Sequence, residues 1–211
     1  MTRIIFVRHG ETDWNVARRY QGQTDIPLND KGIYQAQLAA KRLADEPIAA
    51  VYASDLQRAV YTAEVIAKEH QLTVTPMAEF REISFGEWEG SCFASLDTGA
   101  REQIDKIFTD PANIKVPGGE NFQQVQARAV RGIEKLIAKH PDETVLVVSH
   151  GAAIRTILCH ALGMSLANVW AIRQDNTAVN QIAYYTTTDN TKGAYAEAIV
   201  ELVNDAHHLQ D

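Results

Sequence analysis

The chain has 211 residues, 45% of them hydrophobic and 22% charged, and carries a formal net charge of −7 at pH 7. That composition excludes a disordered polymer and fits one folded domain around a sizeable core. The acidic balance, without any long Lys/Arg run, argues against nucleic acid or an anionic membrane as the partner, so any anion it binds must be met by a local cluster of cations.

The first apolar run, Ile4 to Val7, has the unbroken character of a strand buried on both faces, and it ends abruptly on Arg8, His9 and Gly10. After the turn "PLNDKG", Asn29 reads as an N-cap, and Ile33, Ala36, Ala40 and Leu43 recur at helical spacing. A second buried strand spans Ile48 to Ala53. The helix after it places Ser54 and Gln57 at capping-box spacing, with Val60, Ala63 and Ile66 or Ala67 as its apolar stripe. Between Ile83 and Gly119 the pattern loosens, and glycines and prolines punctuate a short helix near Phe93 to Phe108; this segment, about 83–119, reads as a lid-like insertion.

The longest helix is "ENFQQVQARAVRGIEKLIAKH", with Phe122, Val125, Ala129, Ile133, Leu136 and Ile137 on one face. A third buried strand, Val145 to Val148, runs into His150 and Gly151. A helix then extends from about Ala152 to Leu162 and stops at Gly163, striped by Ile154, Ile157, Leu158, Ala161 and Leu162. "VNQIAYYTT" and "AYAEAIVELV" read as late strands. Strands alternating with amphipathic helices predict an α/β three-layer sandwich in one domain over residues 1–211, with a mostly parallel central sheet and helices on both faces. Cys92 and Cys159 are far apart and form no Cys-x-x-Cys pair, so neither a disulfide nor a zinc site is expected. The chain opens on a strand, and no apolar run approaches membrane-spanning length, which predicts a cytoplasmic protein.

The chemistry lies where strands end. In a parallel sheet all carboxyl ends share one edge, where open α/β folds bind ligands, so His9 and His150 should converge there. Arg58, in the first turn of the helix after Ala53, overhangs the same edge. Two guanidiniums and two imidazoles around one point repel one another unless a multi-oxygen anion sits among them, and the helix start at Gly151 adds amide donors. A phosphate pocket is predicted, in which an imidazole is either a hydrogen-bond donor or a nucleophile.

The segments "VRHGETDWN", "SDLQRAVYTAE", "FREISFGEWEG" and "VSHG" occur in the order found in the histidine phosphatase superfamily, the phosphoglycerate mutase-like proteins, and the resemblance spans most of the chain. It implies that His9 is the phosphorylated nucleophile, that Arg8, Arg58 and His150 bind the transferring phosphoryl group, and that Glu82 is the proton donor. It further implies Asn15, Gln21, Gly22 and the Gly151 backbone as secondary substrate contacts, with no metal and no cofactor. The residues alone do not choose among Glu79, Glu82, Glu87 and Glu89; only the resemblance selects Glu82. Because Glu82 is followed at once by "ISFGEWEG", the match is to the phosphatase branch. A phosphomonoester hydrolase of small metabolites, monomeric or homodimeric, is therefore expected.

Three alternatives stand beside that reading: a phosphoglycerate mutase, a metal-dependent hydrolase and a non-catalytic binding protein. Arg18 and Arg19 could serve a second phosphate. His70, His140 and His160 read as structural, and His207 and His208 as a solvated polar tail. Phe85, Trp88 and Phe93 read as either the substrate mouth or core. Ser54 reads as a helix cap rather than a nucleophile, with no Gly-x-Ser-x-Gly elbow and no P-loop anywhere.

Overall fold

The computed structural model describes residues 1–92, 98–185 and 197–210. Its sheet has the order β3-β2-β4-β1-β5-β6, made of β1 (Thr2–Arg8), β2 (Ile48–Ala53), β3 (Val74–Pro76), β4 (Thr144–Ser149), β5 (Val179–Tyr185) and β6 (Glu197–Asp205). β1 pairs in parallel with β4, and β2 with both β4 and β3. β5 runs antiparallel between β1 and β6, so it is the one strand of the six that points the other way. The three expected inner strands are present. β3 was not foreseen, being only three residues long. Thr186, Thr187 and Ala194 to Ala196, at the margins of the two expected late strands, lie outside the described residues.

Beside the single turn α1 (Asp13–Val16), the longer helices form layers that follow from how β1 alternates its side chains. Ile4 and Phe6 point to a core shared with α5 (Phe122–Lys139) and α6 (Gly151–Ala161), while Ile5 and Val7 meet α2 (Asp30–Leu43) and α3 (Gln57–Glu69). Asn29 caps α2, its side chain accepting from the Gly32 amide at 2.8 Å. Ile33 and Val60 are only half-buried, and Ala39 and Ala59 fill the stripes in their place. α5 begins with a capping box of Asn121 and Gln124. In α6, Ile154, Ile157 and Leu158 are buried as expected, but Leu162 is exposed at the C-cap.

The capping box expected at Ser54 and Gln57 does not form. Leu56 is the N-cap of α3 and makes no side-chain cap bond. The Gln57 amide is satisfied instead by Asp25 Oδ1 at 2.8 Å, while Ser54 Oγ accepts only from Leu56 N at 3.4 Å. A second correction concerns His208, which is buried, with its Nε2 3.3 Å from Thr177 Oγ1, whereas His207 is exposed. The short helical turn His207–Leu209 packs its second residue inward and leaves the first in solvent.

In the 83–119 segment, α4 (Thr98–Thr109) buries Ile104 and Ile107 against the α5/α6 core, and Ile114 and Val116 follow them inward. Phe93 lies outside the described residues. Among the described residues no helix is long and apolar enough to cross a membrane.

Candidate active site

β1 ends at Arg8 in register with Ser149, the last residue of β4, and the His9 amide continues the ladder by donating to the Ser149 carbonyl at 2.9 Å. The next residue on each strand is a histidine. Their ring centroids are 5.0 Å apart, close to the spacing of neighbouring strands. His9 Nδ1 lies 2.7 Å from the Gly10 carbonyl. A carbonyl can only accept, so the neutral ring carries its proton on Nδ1 and keeps a lone pair on Nε2.

The turn after His9 is held from three sides. Asn176 Nδ2 donates to the His9 carbonyl at 2.9 Å, and the Gly10 amide donates to Thr62 Oγ1 of α3 at 3.1 Å. Gly10 also lies against the first turn of α2: a Cβ on Gly32 would stand 2.0 Å from the Glu11 carbonyl oxygen, so this approach requires glycine.

Arg58 donates to the carbonyls of Thr24 (2.8 Å) and Gly22 (2.7 Å), and Arg8 donates to that of Gln174 (2.7 Å). Each guanidinium keeps a buried Nε without a partner, and both ring nitrogens of His150 are likewise unpartnered. His9, His150 and Arg58 are 3%, 0% and 1% exposed, so these donors have no solvent to satisfy them. Burial, with Arg58 and Arg8 close by, holds both imidazoles well below the usual histidine value. Burial also pushes Arg58 down to about 10, against the opposing pull of Glu82 and Asp25. An array of buried donors of this kind is complementary to a phosphoryl group.

Glu82 lines the same cavity. Its carboxylate accepts from the Ala152 and Ala153 amides at 3.2 Å, capping α6, and from its own neighbour Ile83 at 3.0 Å. Two first-turn amides of α6 that were expected to face the anion are therefore taken by Glu82, and Gly151 stands outside this cap. The rival carboxylates are engaged or remote. Glu79 pairs with Lys135 at 2.6 Å, Glu89 accepts from the Gln23 and Phe85 amides and the Thr24 hydroxyl, and Glu87 is exposed.

The backbone that presents Glu82 is clamped by Arg128 of α5, which donates to the carbonyls of Glu79 (2.8 Å), Arg81 (2.6 Å) and Glu82 (2.8 Å). The same guanidinium forms a two-pronged pair with Glu120 at 2.8 and 3.0 Å. Glu120 in turn accepts from the Ser84 amide at 3.0 Å and from Gln23 Nε2 at 3.2 Å.

The cavity is about 280 Å³ and is lined by Arg8, His9, Asn15, Gln21, Gly22, Arg58, Glu82 and Gly151, with His150 behind His9. All nine residues singled out in the sequence thus meet at one place. Gly22 adopts φ of +52° and supplies a carbonyl to Arg58 rather than a side chain, and Gln21 Oε1 is buried without a partner. Arg19 reaches the cavity, with Nη1 on the Gly90 carbonyl at 2.6 Å, and Phe85 lines it as well; Trp88 belongs to the core. The sequence reading missed Arg155, Trp170, Tyr20 and Phe108, which with Ala152 form the remaining wall. Arg155 had a signal: it lies one helical turn beyond Gly151, on the same face of α6. Among the described residues, no three His, Cys, Asp or Glu side chains cluster as metal ligands would.

The sequence pattern of the histidine phosphatase superfamily (branch 1) matches residues 4–194. Phosphoserine phosphatase 1 of Hydrogenobacter thermophilus is 33% identical over 182 residues, 86% of each chain. The probable phosphoglycerate mutase GpmB of Proteus mirabilis is 31% identical over 211 residues, 100% of this chain and 96% of its own. Among solved structures, Bacillus stearothermophilus YhfR superposes with a TM-score of 0.91 at 31% identity over the whole of both chains. A phosphoserine phosphatase of Entamoeba histolytica, in complex with phosphoserine, superposes with a TM-score of 0.84 at 27% identity, covering 99% of this chain and 100% of that one.

Proposed function

The chain belongs to the histidine phosphatase superfamily, branch 1, and on that premise we propose that it hydrolyses phosphomonoesters of small metabolites through a phosphohistidine on His9. The observation that carries the reading is the 2.7 Å bond from His9 Nδ1 to the Gly10 carbonyl, which leaves Nε2 as a lone-pair nucleophile amid buried, unpartnered cationic donors.

In the first step His9 Nε2 attacks phosphorus, the N–P bond forms and the P–O ester bond breaks. Glu82 gives its proton to the departing alkoxide, while Arg8, Arg58 and His150 hold the equatorial oxygens. In the second step water attacks phosphorus, Glu82 takes its proton, and the N–P bond breaks to release phosphate and restore neutral His9. Both imidazoles are held uncharged by burial and by the flanking arginines, so His9 is ready to attack at neutral pH. The positive charge the reaction needs comes from guanidiniums, and turnover is expected to withstand chelators.

A cavity of about 280 Å³ lies at the small end of ligand sites, which run from roughly 300 Å³ upward for drug-sized molecules. Relatives named as phosphoserine phosphatases support a small phosphorylated metabolite, and those named probable phosphoglycerate mutases keep transfer to a second hydroxyl as the competing outcome. Brief exposure to a labelled aryl phosphate, followed by denaturation, should trap acid-labile, base-stable phosphate on His9. Equal labelling of His9→Ala refutes the assignment. Phosphate release from a phosphomonoester panel, with 3-phosphoglycerate tested with and without bisphosphoglycerate, separates hydrolysis from mutase transfer.

A further inference from the structure

Asn180 stands where an apolar side chain would be expected. It lies within β5 opposite Phe6 of β1, is fully buried, and yet carries an amide. Four hydrogen bonds occupy it: Oδ1 accepts from Gln174 Nε2 and from the Asn204 amide, each at 2.8 Å, and Nδ2 donates to Gln174 Oε1 at 2.9 Å and to the Phe6 carbonyl at 3.4 Å. A backbone amide can only donate, so the bond from Asn204 fixes which way the Asn180 amide faces, and that in turn fixes Gln174. The side-chain amides of Asn180 and Gln174, both buried, form a closed reciprocal pair.

The pair is built onto the arginine that closes β1. With its side chain turned inward to Asn180, Gln174 presents its main-chain carbonyl to Arg8 Nη1 at 2.7 Å. Asn204, where the β5–β6 register shifts and with φ of +52°, holds the next residue from the other side: its Oδ1 accepts from the Asp175 amide at 2.7 Å and its Nδ2 donates to Asp175 Oδ2 at 3.1 Å. Asp175 brings its charge to the same place. Burial pushes Arg8 below its ordinary value, and the carboxylates of Glu82 and Asp175 oppose that push. The Arg8 main chain is fixed by the same stretch, its carbonyl accepting from the Thr177 amide at 3.0 Å and its own amide donating to the Ala178 carbonyl at 3.3 Å.

Buried amides stabilise a core no better than apolar side chains of the same size, and they destabilise it unless fully bonded. What they add is direction. The Arg8 guanidinium is planar and rigid, so the line of the Gln174 carbonyl sets how that plane is turned, and hence where the buried, unpartnered Nε points. We propose that Asn180 is a positioning residue for phosphoryl transfer: through Gln174 and Asn204 it aims the carbonyl that orients Arg8, so that Arg8 meets the phosphoryl oxygens without rearranging. The proposal rests on the phosphatase reading above and adds to it a residue outside the cavity lining.

Orthovanadate, which takes the trigonal-bipyramidal shape of a phosphoryl group in transfer, is the probe, and its affinity is measured by calorimetry for the wild type, Asn180→Leu, Arg8→Gln and the variant carrying both changes. Asn180→Leu should weaken binding roughly 10-fold, the low end of what one charge-assisted hydrogen bond contributes, and should lower kcat/KM for an aryl phosphate by a similar factor. In the Arg8→Gln background the same substitution should have no further effect, since the group it acts through is already gone. Unchanged affinity in Asn180→Leu, or an equal loss in both backgrounds, overturns the proposal. Thermal melts separate aim from packing. Asn180→Leu strands the Gln174 amide and should lower Tm, whereas Asn180→Leu with Gln174→Met replaces both amides by apolar chains of similar shape and should regain part of the loss while vanadate stays weakly bound. If Tm and affinity return together, or if neither variant folds, the network serves the fold alone and the proposal is overturned. A wild type that binds vanadate but neither turns over an aryl phosphate nor is labelled on His9 refutes the phosphatase reading instead.

Discussion

Replacing Arg128 with methionine keeps most of the side chain's apolar length and removes five hydrogen bonds at once, three to the carbonyls around Glu82 and two to Glu120. The Arg128 and Glu120 side chains are 12% and 23% exposed, so the variant strands a mostly buried carboxylate. Breaking such a pair costs about 3–5 kcal/mol, and the low end applies because Glu120 keeps the Ser84 and Gln23 donors. For a chain of this size, about 3 kcal/mol corresponds to a fall in Tm of roughly 6–12 °C.

The loss should depend on pH. Burial alone would raise the Glu120 carboxyl, but the hydrogen bonds and charge of Arg128, with the Ser84 amide, outweigh it and hold the group below its usual value of 4.5. Its stabilisation is therefore complete above that value and vanishes as pH falls through the lowered one. Thermal melts followed by circular dichroism should show the wild type well above Arg128→Met at pH 7, with the gap narrowing as the medium becomes acidic enough to protonate Glu120. Adding Glu120→Gln to the variant should regain part of the loss, since no charge is then stranded. A fall in Tm under about 2 °C, or a double variant no more stable than the single one, would show that the pair contributes little.

Three further outcomes follow from the same geometry. Glu82→Gln should slow phosphohistidine formation far more with an alkyl phosphate than with an activated aryl phosphate, by up to the roughly 10²- to 10⁴-fold of a general acid; equal losses in the single-turnover step would show that Glu82 is not the acid. Because burial, Arg58 and Arg8 keep His9 neutral, that step, measured with the activated aryl phosphate whose leaving group needs little help from an acid, should not slow as pH falls from 8 to about 6.5, the ordinary histidine value, and an acid limb centred there refutes the neutral-nucleophile reading. Gly32→Ala places a Cβ 2.0 Å from the Glu11 carbonyl, which should cost about 1–3 kcal/mol and lower turnover by displacing the Gly10 turn; an unchanged Tm and kcat would show that α2 can move aside without consequence.

What could be read from the sequence was whatever a strand or helix carries to its own end. His9, Arg8 and His150 terminate apolar runs, and a parallel sheet gathers such ends on one edge, so their meeting followed from periodicity. Glu82 sits in an irregular segment, and neither period nor cap distinguishes it from Glu79, Glu87 and Glu89; only the resemblance did. The amides at the start of α6 were misassigned because their partner, Glu82, is about 70 residues away in the chain. The cap of α3 was misread for the same reason, since it comes from Asp25 and not from the local Ser54. Arg155 offered only its place one turn beyond Gly151, and a lone cation on a helix reads as a solvated face; its guanidinium instead lies over the Trp170 ring, 5.0 Å from the centroid. The reversed direction of β5 had no local signature either, because orientation is decided by the connection and not by the strand.

The register of β1 against β4 has a consequence for how such a protein can change. His9 and His150 take their spacing from paired residues of two central strands and from no loop. The residues that line the rest of the cavity, among them Phe108 of α4, Trp170 and Arg155, stand on helices and turns outside the sheet instead. New esters can therefore be accommodated by editing the perimeter alone, with no trial of the bond-breaking centre. Inheritance of the reaction and exploration of new substrates are thereby separated within one small domain.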